Sequence, residues 1–224
     1  EMPGDVLVET ISRSSATITG NTVTLNPSIT LKNSTDYYVL AGNKTVSDYT
    51  DNQWIGIVMP TAWNFTTEVD ESVFFSRQNG SWNSPATWSH VGHSGPAASL
   101  TPGTGTDVII GNGHTVTLAG NTGVVGNTTK GTEIMSGATL DAAGFDLSVW
   151  GTLRIDGTLL NGGILSGMFD LYASGGIPVF DEIHYGVSGL PGSEANIYTD
   201  VVALNGIQSI DGGIINTNGF QICV

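Results

Sequence analysis

The stretch Gly151-Thr152-Leu153-Arg154-Ile155-Asp156-Gly157-Thr158-Leu159-Leu160, followed by Gly163-Ile164-Leu165-Ser166-Gly167, decides the fold. Short runs of apolar and β-branched residues alternate with glycine. Gly or Asn recurs where a sharp bend needs positive φ. Short apolar strands with regular glycine corners predict a β-solenoid, in which each turn buries its apolar side against the next. The same pattern spreads in both directions. Upstream lie Ser136-Gly137-Ala138-Thr139-Leu140 and Phe145-Asp146-Leu147-Ser148-Val149. Downstream lie Val201-Val202-Ala203-Leu204, Ile207-Gln208-Ser209-Ile210 and Gly213-Ile214-Ile215-Asn216. The spacing between runs is irregular.

An open stack of strands exposes unpaired edges and an apolar interior, so a cap is required. Trp82 and Trp88 stand just ahead of the first runs, six positions apart in a Ser, Asn and Pro context. They are expected to plug the open end as a structural cap. The acidic segment Glu68-Val69-Asp70-Glu71-Ser72 reads as a junction. The chain is therefore divided at about residue 70, into a domain over 1–70 and a solenoid over 71–224 that is expected to continue beyond the fragment. Before the junction the strands are spaced as in a sandwich. Ala16 to Leu25 reads as a hairpin turning at Gly20-Asn21, Asp36 to Ala41 as a strand, and Trp63-Asn64-Phe65-Thr66-Thr67 as a closing strand with Trp63 and Phe65 on its core face. No stretch carries helical periodicity. The fold class is all-β.

Composition narrows function. The chain has 224 residues, with 6 Lys plus Arg against 20 Asp plus Glu, a formal net charge of −14. That balance argues against nucleic acid, whose phosphates need clustered basic residues, and against anionic lipid. No apolar run is long enough to insert into a membrane. The single cysteine, Cys223, leaves no internal disulfide and no Cys-based metal site. With no basic or apolar leader at Glu1 and an apolar end at Val224, the chain is expected to be a fragment.

Residues 21–67, from Asn21-Thr22-Val23-Thr24-Leu25 through Tyr37-Tyr38-Val39 to Trp63-Asn64-Phe65-Thr66-Thr67, resemble the bacterial Ig-like domain of S-layer and other large surface proteins. The family loop Asp-x-x-Gly-Asn reads here as Asp48-Tyr49-Thr50-Asp51-Asn52, with Asp51 where glycine is usual. The resemblance implies an Ig-like β-sandwich lacking its first strands, a spacer role and no catalytic residues. Residues 78–165 resemble the eight-glycine domain and related right-handed β-helix starts. The matching features are Gly80 to Trp88, Pro102 to Ile110, Gly113 to Leu118 and Gly137 to Leu140. The combination is similar to giant Bacteroidetes-type surface adhesins. It implies an extracellular location, at the bacterial cell surface or secreted, with type IX secretion as a route. The implied partners are other domains of the same long polypeptide, surface glycans or secretion machinery.

Asp48, Asp51 and Asn52 offer hard oxygen ligands, which makes calcium the one cofactor to consider, though a surface turn is the favoured explanation of them. His90 and His93 form a His-x-x-His pair with His114 downstream, but zinc needs further ligands and solvated histidines are the plainer reading. Asp141, Asp146, Asp156 and Asp170 lie among the rungs, where paired carboxylates could cleave glycosides. Only Lys130 and Arg154 are basic beyond position 100, poor equipment for acidic sugars. No catalytic residue is assigned, and the chain is read as no enzyme. Among the aromatic residues that could stack on sugars (Trp54, Trp82, Trp88, Tyr37, Tyr38 and Trp150), Trp54 in Asp51-Asn52-Gln53-Trp54 is the first choice. The leading function is a stalk or adhesive module; the alternatives are a carbohydrate-binding or carbohydrate-active β-helix and a passive secretion substrate.

Overall fold

The computed structural model describes residues 5–43, 45–47, 50–123 and 131–224. The chain divides into two compact units, Glu1–Val69 and Asp70–Val224. Among the described residues the only helical pieces are two 3-10 turns, Arg13–Ser15 and Pro85–Thr87.

The first unit is built from antiparallel pairs. Thr17–Thr19 pairs with Thr22–Thr24, and Gly20 takes a φ of 58° in the link between them. Asp36–Tyr38 pairs with Asn64–Thr66, which sets Tyr37 opposite Phe65 with ring centroids 5.8 Å apart. The pairing continues beyond the strands: Val39 N–H donates to the Trp63 carbonyl, and Ala41 exchanges two hydrogen bonds with Ile57. None of the described residues from 5 to 69 is buried. Trp63 stays 49% exposed and Phe65 39%, so they do not fill a sandwich core within this unit. The reason is geometric. A sandwich core lies between two facing sheets, and two-stranded ladders of three-residue strands do not enclose one.

The second unit is a β-solenoid of about five turns, built on three parallel faces. The first face runs through Val73–Ser76, Asp107–Ile110, Thr132–Ile134, the later half of Leu147–Ile155, the later half of Leu165–Ala173, Glu194–Ile197 and Ile214–Asn216. The second runs through Gly80–Ser81, Thr115–Thr117, Thr139–Asp141 and Thr158–Leu160. It is followed by a ladder of Val179–Phe180, Val201–Ala203 and Ile222–Cys223. The third uses the early halves of Leu147–Ile155 and Leu165–Ala173, then Ile183–Tyr185 and Ile207–Ser209. Each strand alternates, so every second side chain points inward. In-register pairing turns these into columns. Phe74, Val108, Thr132, Leu153, Leu171 and Ile197 stack along the first face, and Leu147, Leu165 and Ile183 along the third.

The irregular period has a simple cause. Partners in successive turns are 18 residues apart at Ser148–Ser166, 24 at Asp107–Gly131 and 26 at Asp170–Asn196. The strands keep their register, and the corner loops absorb the difference. One member of the first column breaks the apolar rule. Thr132 is fully buried between Val108 and Leu153, and its hydroxyl has no hydrogen-bond partner among the described residues. A buried unpaired hydroxyl is costly, whereas valine has the same shape. Thr132→Val is expected to raise stability by about 1 kcal/mol, read as a higher urea midpoint at unchanged m-value. A lower midpoint would show that the hydroxyl is paired after all.

Candidate functional site

The two tryptophans at the start of the solenoid lie inside it. Trp88 is fully buried and Trp82 is 3% exposed. Their rings meet edge to face at 5.2 Å, and Trp88 Nε1–H donates to the Trp82 carbonyl at 2.7 Å. The strand Trp88–Ser89 runs antiparallel to Val73–Ser76, unlike the parallel pairs that follow. This local reversal comes from the turn at Pro85–Thr87, where proline opens a 3-10 turn and Thr87 Oγ1 donates to the Ser81 carbonyl.

The histidines lie around the same region but serve the backbone. His93 Nδ1 is 2.6 Å, and His114 Nδ1 3.0 Å, from the Ser76 carbonyl oxygen. His90 Nδ1 is 2.9 Å from the Val73 carbonyl, and its ring packs on Phe74. A carbonyl oxygen only accepts, so His90 and His93 donate from Nδ1, whereas His114 Nδ1 also lies 3.0 Å from the Ser76 hydroxyl, which can donate to it. Among the described residues, no group of three or more His, Cys, Asp or Glu side chains is placed to hold a metal ion.

The rung carboxylates are spread along the stack. Asp141 Oδ1 accepts from Ala143 N–H and from Asn161 Nδ2, both at 2.9 Å. Asp146 accepts from Asn121 Nδ2 at 2.7 Å and from Ile164 N–H at 3.2 Å. Asp170 accepts from Asn196 Nδ2 at 2.8 Å, and Asn216 Nδ2 continues the ladder onto Asn196 Oδ1 at 2.9 Å. Asp156 accepts from Ser174 Oγ and from Arg154 Nε, each at 2.6 Å. The Ser174 hydroxyl first, and then Arg154, hold the Asp156 carboxyl below its ordinary range. Each of these carboxylates ties one turn to the next or closes its own corner.

In the first unit, Asp48 lies outside the described residues. Asp51 takes a φ of 61°, a conformation that glycine adopts freely and Asp tolerates better than most residues. Its backbone thus explains how Asp can stand where the family pattern has glycine. Asn52 Nδ2 donates to Thr50 Oγ1 at 2.9 Å. Trp54 is 39% exposed, and its N–H donates to the Val46 carbonyl.

A further constellation escaped sequence reasoning. On the outer side of the third face, register places Ser148, Ser166, His184 and Gln208 in one column. Ser148 and Ser166 share a hydrogen bond of 2.8 Å between hydroxyls. His184 Nε2 meets Glu182 Oε2 at 2.6 Å. Two positions along from Ser148, Trp150 points outward and is 39% exposed. The signal in the sequence was the repeated apolar-polar pair: Leu147-Ser148, Leu165-Ser166, Ile183-His184 and Ile207-Gln208. It becomes visible only when the turn length is known.

Residues 5–67 match the family model described as the bacterial Ig-like domain. Neither the curated proteins nor the solved structures contain a match to the chain. The chain thus carries an N-terminal Ig-like domain and a β-solenoid, a pair of folds that fits a structural surface module. No helix among the described residues is long and apolar enough to cross a membrane.

Proposed function

We propose that this chain is a non-enzymatic stalk or adhesive module of a large, secreted bacterial cell-surface protein. The observation that supports it is the pairing of an Ig-like domain, of a kind found in bacterial surface proteins, with a solenoid whose rung carboxylates are hydrogen-bonded between turns. In a solenoid, stability comes from contacts between neighbouring turns, so tension is shared along the stack. The charge of −14 keeps such a surface soluble and repels anionic partners. The partners are further domains of the same polypeptide and the surface it meets. Type IX secretion is the export route in this reading, and calcium at Asp48, Asp51 and Asn52 would stiffen the Ig-like loop.

The experiment is brief protease treatment of intact source cells, followed by peptide mapping of the released and the native protein. Release of these peptides from intact cells, together with peptides of further domains in one long polypeptide, is the expected result. Release only after lysis would overturn the surface reading.

A further inference from the structure

We infer that the outer side of the third solenoid face binds an extended, neutral, β-linked polysaccharide that runs along the solenoid axis. The inference goes beyond the stalk reading. Cell-surface mapping can succeed while glycan binding fails, so the two results are separable.

Three features carry it. The first is the platform. Trp150 stands on the strand Leu147–Ile155 next to the buried Val149, so alternation turns its indole outward. In the next turn the pairing partner of Val149 is Gly167. A Cβ on Gly167 would sit 3.2 Å from the indole Cδ1. The glycine therefore leaves room for the indole edge close to the sheet. At 39% exposure the ring retains surface for a pyranose to stack on, the usual way an aromatic side chain meets a sugar's C–H face.

The second feature is the hydrogen-bonding column beside it. Ser148, Ser166, His184 and Gln208 occupy one register line over four successive strands. Three of the four are fixed by partners: the Ser148 and Ser166 hydroxyls bond each other, and Glu182 holds the His184 ring. Neighbouring strands lie about 4.8 Å apart, close to the length that one sugar residue adds to an extended β-linked chain. Successive sugar hydroxyls would thus meet successive rungs. An α-linked chain coils and would leave this line after one or two residues.

The third feature is charge. Glu182 lies on this face and Asp146 at its edge, and the chain as a whole carries −14. A polyuronate or sulfated glycan would be repelled, which selects a neutral polymer.

The test is affinity electrophoresis of the full chain in gels holding a neutral β-linked glucan or mannan, with neutral α-linked dextran and anionic alginate as comparisons. The expected result is retardation by a β-linked neutral polymer and none by dextran or alginate. Trp150→Ala should weaken the apparent affinity about tenfold or more, and His184→Ala should weaken it less. Both variants should melt within a few degrees of the parent, because both side chains sit on the outside. Trp54→Ala, in the Ig-like domain, should bind like the parent. The inference is overturned if the parent is not retarded by any β-linked neutral polymer. It is equally overturned if Trp150→Ala binds unchanged, or if dextran or alginate retards the parent as strongly.

Discussion

Trp88→Ala is expected to lower the stability of the Asp70–Val224 unit by about 3–5 kcal/mol, the range for deleting a fully buried large aromatic side chain. Trp88 has no exposed surface and touches two further rings edge to face, Phe74 at 6.3 Å and Trp82 at 5.2 Å. Its removal leaves a cavity beneath Phe74, the first member of the longest apolar column. It also leaves the Trp82 carbonyl without its Nε1–H donor. The Trp88 backbone is equally engaged, because its carbonyl accepts from Ala98 N–H at 2.8 Å and its strand covers Val73–Ser76. Trp88→Phe keeps a ring but loses the donor, so it should cost less, about 1–3 kcal/mol. Urea unfolding followed by the β-sheet circular dichroism signal measures both. Equal midpoints for parent and Trp88→Ala would refute the cap role.

Gly167→Ala is expected to cost as much or more, for a different reason. Gly167 has a φ of 126°, where residues with a side chain are strained, and a Cβ there would lie 2.1 Å from the Val149 carbonyl oxygen of the neighbouring strand. That oxygen cannot move without opening the pairing between Leu147–Ile155 and Leu165–Ala173, two nine-residue strands that link the third face to the first. The substitution should therefore separate the stack at its middle and leave a partly folded chain. Gly176→Ala is the control. Its φ is 141°, but a Cβ there meets nothing within 4 Å, so only backbone strain applies, about 1–3 kcal/mol. If the two alanines cost the same, close approach between turns is not what holds this glycine in place.

Both predictions rest on elements that differ in how plainly the sequence announces them. The solenoid strands were legible because alternation is local: in Leu147-Ser148-Val149 and Leu165-Ser166-Gly167 the inward side can be read from the residues themselves. The pairing offsets were not legible. They are set by corner loops of unequal length, and nothing in Leu171 reveals that its partner is Ile197. In the Ig-like domain the hairpin at Gly20 and the strand pair around Tyr37 and Phe65 follow from turn residues and β-branched runs. Burial did not follow. Trp63 and Phe65 look like core residues in sequence, yet a core also needs a second sheet layer, and that is a property of topology. The same distinction governs the candidate sites. The tryptophans before the solenoid stood out by spacing, whereas Trp150 was one aromatic among several. Only the alternation before it, with Leu147 and Val149 buried and Ser148 between them, shows that it faces out. His184 gave no signal until register placed it above Ser166.

The central claim is that this chain serves as a stalk whose solenoid is held by contacts between successive turns. Pulling a single molecule of the full chain from its two ends tests it most directly. With 18 to 26 residues between equivalent positions in successive turns beyond the first, the account predicts that the solenoid resists and then yields in discrete steps. Each step should release one turn, roughly 60–90 Å of chain. Smooth extension at low force, like that of a flexible linker, or release of the whole unit in one event, would contradict it.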